Sequence, residues 1–173
     1  MSKTDLFNIA AMLTEDELEV RDQVAEFVNR RVRPNIAQWY DDAYLPVELF
    51  PEMAELGLFG MHIDGYGCAG RSAVEYGVAM HEMEAGDSGL RTVVSVQGSL
   101  AMTAIAKNGS EEQKQTWLPK MATGDVIGCF GLTEPTAGSD PSSMTTHAKL
   151  VDGEWVLNGA KRWIGLATIA NVA

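Results

Sequence analysis

The chain has 173 residues, 46% of them hydrophobic and 21% charged, enough for one full core and part of a second and unlike a disordered polypeptide. With 24 acidic against 13 basic side chains the formal net charge is -11, a field that repels nucleic-acid phosphates and anionic lipid surfaces. An anionic ligand must then be held by a few locally placed cations and helix N-termini.

The apolar stretches are far shorter than a bilayer span requires. Cys68 and Cys129 lack the paired spacing of a zinc site, so no metal is expected. The N-terminal Met-Ser-Lys-Thr-Asp-Leu-Phe has neither the apolar core of a secretion signal nor an Arg/Ser-rich transit pattern. A reducing, cytoplasmic-type compartment is expected, or a mitochondrial matrix for a processed eukaryotic protein. His62, His81 and His147 are scattered and read as satisfied or exposed side chains.

Helices fill the first two-thirds. Thr14-Glu15-Asp16-Glu17 is a capping box with carboxylates in the first turn, followed at helical spacing by Leu18, Ala25, Val28 and Val32 up to Pro34. Pro46 opens a second helix through Leu56, stopped by Gly57 and Gly60. Gly65-Tyr66-Gly67-Cys68-Ala69-Gly70 is a glycine-rich loop without a preceding strand, read as a flexible connection rather than a phosphate cradle. Residues 72–84 form a helix, and 90–107 a stronger one with a stripe of Leu90, Val93, Val94, Gln97, Leu100, Ala101, Ala104 and Ile105. Only Gln97 interrupts that stripe. Ser110-Glu111-Glu112-Gln113 caps a further helix that carries Trp117 to Ala122.

After Gly124-Asp125 the period changes. Residues 126–132 read as a buried strand, 145–150 and 154–157 as a hairpin around Asp152-Gly153, and 161–164 as the start of another strand after Asn158-Gly159. The fold class is α+β: an all-helical unit, 1–124, followed by the beginning of a small antiparallel β-barrel unit, 125–173.

Three constellations carry chemistry. The loop from Phe130 to Pro141 offers backbone N–H groups and the hydroxyls of Thr133 and Ser139 to a flat polar ligand, or it is simply a turn. In Lys161-Arg162-Trp163-Ile164-Gly165 the tryptophan packs on a conjugated ring or belongs to the core. Arg91 lies near a helix N-terminus, where the dipole disfavours a cation, and shares a face with Ser95. Together they hold a carboxylate, or Arg91 pairs with a nearby acid at the surface.

Gly128-Cys129-Phe130-Gly131-Leu132-Thr133-Glu134-Pro135, closed by Gly138-Ser139-Asp140-Pro141-Ser142-Ser143-Met144, resembles the flavin-binding signature of acyl-CoA dehydrogenases. Asn158-Gly159-Ala160-Lys161-Arg162-Trp163-Ile164 resembles the second signature of that family. Gly65 to Gly70, Asp87-Ser88-Gly89-Leu90-Arg91-Thr92 and Ser95-Val96-Gln97 are most similar to the branch that oxidises glutaryl-CoA.

The resemblance implies an FAD cofactor bound by Phe130, Gly131, Leu132, Thr133, Ser139, Trp163, Ile164 and Gly165, with Trp163 against the isoalloxazine. It implies an acyl-CoA substrate met by Arg91, Thr92, Ser95 and Ser139, with Arg91 and Ser95 holding a distal carboxylate and Thr92 adjacent. It further implies removal of an α-proton with β-hydride transfer to the flavin, decarboxylation to an unsaturated four-carbon thioester, electron-transfer flavoprotein as acceptor, and a homotetramer. The family's glutamate base belongs to a C-terminal helical bundle not found in these 173 residues, so no acid here is expected to be catalytic. Gly165 stands where many relatives carry a threonine, and Leu166 replaces a common asparagine. Two other readings remain: a short-chain acyl-CoA dehydrogenase or acyl-CoA oxidase, and a non-catalytic fragment or a subunit completed by another chain.

Overall fold

A computed structural model describes residues 5–173. Helix α1, Glu15–Phe27, begins at the expected capping box: Thr14 accepts from the Glu17 N–H, and the Glu17 carboxylate accepts from the Thr14 N–H. Its last turn widens into a π-helical stretch, Val28–Val32, before Pro34. A short helix absent from the sequence reading follows, α2, Ile36–Asp41. The segment after Pro46 enters as a 3-10 turn, Val47–Leu49, continues as α3, Phe50–Glu55, and stops at Gly57 with φ 70°.

The glycine-rich loop is better fixed than its composition suggests. Gly65, Tyr66 and Gly67 all take left-handed backbone conformations, and the Tyr66 hydroxyl donates to both carboxylate oxygens of Glu111 at 3.1 and 3.0 Å. Helix α4, Ala73–Gly86, has its own capping box on Ser72 and Glu75. It packs on α1 and on the π-helical stretch after it, and Val24, Phe27, Val28, Ala79 and Met83 belong to one buried cluster.

The next helical run is one rod in three pieces: α5, Ser88–Val94, capped by Asp87; a π-helical stretch, Ser95–Met102; and α6, Thr103–Asn108. The wider turns of the middle piece shift the buried face. Leu90, Val93, Val94, Gln97 and Ala101 are buried as expected, but Leu100 turns outward and Met102, outside the expected stripe, is fully buried. Helix α7, Glu111–Ala122, starts at the Ser110 and Gln113 capping box and tolerates Pro119 near its end.

The β portion is a single antiparallel hairpin. β1, His147–Val151, pairs with β2, Glu154–Asn158, around Asp152 (φ 49°) and Gly153 (φ 86°), so the expected Asp-Gly turn forms. Two expected strands do not form. Residues 126–132 make only an isolated parallel bridge, Gly128 to Val172, because a side chain from the helical part takes the hydrogen bonds a neighbouring strand would use. Residues 161–164 make one backbone bond to the 130–134 segment, and Trp163 at φ 61° breaks the extended geometry a ladder needs.

Candidate functional site

Gln97 sets the position of the first signature. Its side chain has no exposed surface; Nε2 donates to the carbonyls of Met121 and Val126 at 3.0 and 2.8 Å, and Oε1 accepts from the Gly128 N–H at 2.7 Å. The amide that broke the apolar stripe thus joins the helical rod to the segment leading into Phe130. Gly128 is small of necessity: a Cβ there would lie 2.6 Å from Met121 Cε and 2.7 Å from Ala101 Cβ.

The second fixed point is Glu134. This buried carboxylate accepts from the Thr145 N–H and hydroxyl, from the Thr146 N–H, and from the Lys161 ammonium at 3.0 Å. Lys161 Nζ also donates to the Leu132 carbonyl at 3.0 Å, and its stem packs over Gly131. The Thr146 hydroxyl, which lies beside Glu134 without a well-formed hydrogen bond, lowers the carboxyl most, followed by the Thr145 N–H; the Lys161 ammonium and Thr146 N–H add to it. The Glu134 carboxyl is held well below the usual carboxylate range against the opposing effect of burial.

These two anchors bring the signatures together. The Arg162 N–H donates to the Thr133 carbonyl at 2.8 Å, so Thr133 and Trp163 are neighbours across the gap between the motifs. Trp163 is 80% exposed, with the Arg162 guanidinium 4.5 Å from its ring centroid. A bulky residue in left-handed conformation is strained by roughly 1–2 kcal/mol. Such strain gathers at ligand sites. Phe130 and Leu132 are exposed beside it. The hydroxyls of Thr133 and Ser139, and the N–H groups of Gly131, Thr133, Trp163 and Ile164, have no hydrogen-bond partner among the described residues. A cleft of about 480 Å³ opens behind Phe130 and Gly131 towards Ile105 and Trp117, within the size range of small-molecule pockets. Exposed aromatic faces beside unengaged N–H and O–H donors suit a planar conjugated ligand with a polar edge.

The tail of the second motif reaches the helix that carries Arg91. Gly165 and Leu166 share an open cleft of about 390 Å³ with Ser88, Gly89 and Thr92, and a Cβ on Gly165 would sit 3.4 Å from Val96. Leu166 adopts φ 65° where an asparagine would be less strained. Arg91 makes both expected kinds of contact. Nε donates to Glu84 at 2.7 Å, the acid partner the sequence left unspecified, and Nη1 donates to Ser95 Oγ at 3.3 Å. Thr92 spends its hydroxyl on the Ser88 carbonyl at 2.8 Å. Ser139 is exposed on its loop, and among the described residues no hydrogen bond or shared cleft joins it to Arg91.

Gln97, Glu84, Glu134 and Lys161 were not singled out as site residues in the sequence. Gln97 alone had a visible signal, a lone amide in an apolar stripe. The others depend on contacts between segments far apart in the chain, or in adjoining helices at a spacing no single helix would pair.

Residues 14–125 match acyl-CoA dehydrogenase, N-terminal domain, and residues 129–173 match acyl-CoA dehydrogenase, middle domain. The chain belongs to the acyl-CoA dehydrogenase family. A glutaryl-CoA dehydrogenase structure from Mycobacterium smegmatis is 57% identical with a TM-score of 0.93, covering 96% of this chain and 44% of that one. A glutaryl-CoA dehydrogenase from the same organism in complex with FADH2 is 51% identical with a TM-score of 0.93, covering 96% and 43%. The human mitochondrial short-chain specific acyl-CoA dehydrogenase is 38% identical over 149 residues, 86% of this chain and 36% of that protein. The chain therefore spans well under half the length of the relatives it matches.

Proposed function

We propose that this chain supplies the flavin-facing wall and the carboxylate-binding helix of an FAD-dependent acyl-CoA dehydrogenase acting on glutaryl-CoA. The observation that carries the reading is the arrangement just described: the 130–133 segment and Trp163 meet through the Thr133–Arg162 bond, and the motif tail at Gly165 lies on the helix bearing Arg91. The identity to glutaryl-CoA dehydrogenases, and the FADH2 bound by one of them, support it.

When bound, FAD supplies the hydride acceptor for α,β-dehydrogenation. Phe130, Gly131, Leu132, Thr133, Trp163, Ile164 and Gly165 would hold the flavin ring, and Ser139 would meet the pyrophosphate and the CoA chain. Thr133 would offer its hydroxyl and N–H to the flavin's polar edge. Arg91 and Ser95, with Thr92 adjacent, hold the distal carboxylate through charge-assisted hydrogen bonds. Glu84 holds the guanidinium through Nε, so the bond to Glu84 does not use the Nη groups. The proton-abstracting base is assigned to no acid in this chain: Glu84 is tied to Arg91, and Glu134 is buried among four donors.

The division into 1–124 and 125–173, assembly as a homotetramer, electron-transfer flavoprotein as acceptor, decarboxylation to crotonyl-CoA and a reducing compartment belong to the same reading. One matched structure, 35% identical, comes from a study of the electron transferring flavoprotein of Acidaminococcus fermentans. A second reading, a short-chain acyl-CoA dehydrogenase, rests on the 38% identity to the human short-chain enzyme. Arg91→Ala in a full-length, flavin-loaded enzyme separates the two. Loss of kcat/KM for glutaryl-CoA at least tenfold greater than for butyryl-CoA, the scale of about 1.4 kcal/mol, is expected. Equal losses on both thioesters refute the glutaryl assignment.

A further inference from the structure

We propose that Tyr76 is a positioning residue whose hydroxyl, in a relay from Ser99, turns the hydrogen of Ser95 outward so that Ser95 donates to the distal carboxylate of the substrate. The inference rests on the carboxylate-binding reading of Arg91 and Ser95 and goes beyond it.

Ser99 Oγ donates to the Tyr76 hydroxyl at 2.9 Å. The single Tyr76 hydrogen then goes to another acceptor, and Ser95 Oγ stands 3.3 Å away. Ser95 already accepts from Arg91 Nη1 at 3.3 Å. A serine oxygen has two lone pairs and one hydrogen. With Arg91 and Tyr76 occupying both lone pairs, Ser95 has only its hydrogen left, and it meets the next group as a donor.

Other hydroxyls in this rod and in α7 behave differently. Thr92 donates back to the Ser88 carbonyl at 2.8 Å, Thr116 to Glu112 at 2.7 Å, and Thr103 to Gly98 at 3.0 Å. Back-bonding of this kind is a common arrangement for a hydroxyl inside a helix. Ser95 and Ser99 depart from it, and both meet the same tyrosine. The π-helical stretch Ser95–Met102 keeps these two residues on the face towards α4 while Gln97 points to the opposite side. Tyr76 is itself oriented: His62 meets its ring edge-on at 6.0 Å between centroids, and His62 Nε2 is 2.7 Å from Thr103 Oγ1. Without the Tyr76 hydroxyl, Ser95 is free to turn its hydrogen back to the carbonyl four residues earlier.

The test compares Tyr76→Phe, Ser99→Ala and Arg91→Ala in a full-length, flavin-loaded enzyme, using glutaryl-CoA and pentanoyl-CoA, five-carbon thioesters with and without the distal carboxylate. Tyr76→Phe is expected to lower the glutaryl/pentanoyl ratio of kcat/KM about fivefold, the size of one net hydrogen bond, through KM rather than kcat. Ser99→Ala, which removes only the donor to Tyr76, shifts the ratio in the same direction by less, and it carries the test if Tyr76→Phe fails to fold. A ratio unchanged in the folded variant, or equal losses on both thioesters, overturns the relay. If Arg91→Ala collapses the ratio while Tyr76→Phe leaves it intact, the relay alone is wrong. If Arg91→Ala also leaves it intact, the carboxylate reading fails and the relay with it.

Discussion

Gln97 and Gly128 meet at 2.7 Å, side-chain oxygen to backbone N–H, and this bond joins the helical rod to the first signature. The Gln97 side chain is fully buried, and all three polar contacts of its amide are made within the chain.

Gln97→Leu leaves the Gly128 N–H and the Met121 and Val126 carbonyls without this partner. A loss of about 3 kcal/mol is expected, since each buried group left unpaired costs roughly 1–3 kcal/mol. Urea unfolding measures it, and an unchanged midpoint at constant slope would show that the bond carries no net stability.

Gly128→Ala tests the same junction from the other side. Its methyl would press on Met121 Cε and Ala101 Cβ, and overpacking of this kind costs roughly 1–3 kcal/mol. A variant as stable as the parent would mean that the helix and the signature separate easily.

The junction also shows which parts of the sequence were legible. The capping boxes at Thr14 and Ser110 and the Asp152-Gly153 turn formed as read, because each is settled within about four residues. The stripe from Leu90 failed at Leu100 because the helix changes its pitch at Ser95, which a fixed period of 3.6 cannot express. The apolar run 126–132 has strand composition, yet its backbone bonds go to the Gln97 and Lys161 side chains, the Lys120 carbonyl and the distant Asn171-Val172 rather than to a strand. Of the candidate site, the motifs were readable as motifs; the Lys161–Glu134 clamp and the Arg91–Glu84 pair were not, because they depend on which segments the fold brings together.

The buried Glu134 gives a pH dependence whose sign is fixed. Its folded carboxyl lies below the unfolded value, so the stabilisation is fully present above the ordinary glutamate pKa of about 4.3 and is lost as pH falls below it. Glu134→Gln, which removes the charge, is therefore expected to be most destabilised relative to the parent near pH 7, with the gap narrowing towards pH 3. Unfolding curves at both pH values measure the gap, and one that stays constant would mean the charge is unimportant.

Asp87 starts the helix that carries Arg91, its carboxylate accepting from the Leu90 N–H at 2.7 Å. Asp87→Ala removes an N-cap and is expected to cost about 1 kcal/mol. Thermal unfolding reads the change, and Asp87→Asn, which keeps a capping oxygen, should recover most of it. If the asparagine variant is as unstable as the alanine one, charge rather than capping is the cause.

The account depends most on Trp163 facing the flavin across the Thr133–Arg162 bond. Titrating the protein with FAD while following tryptophan emission, in the parent and in Trp163→Phe, tests this directly. The parent is expected to lose emission as FAD binds, and the variant, which retains Trp39, Trp117 and Trp155, to lose a clearly smaller share. The same fractional quench in both proteins, or no saturable quench in the parent, would contradict the account.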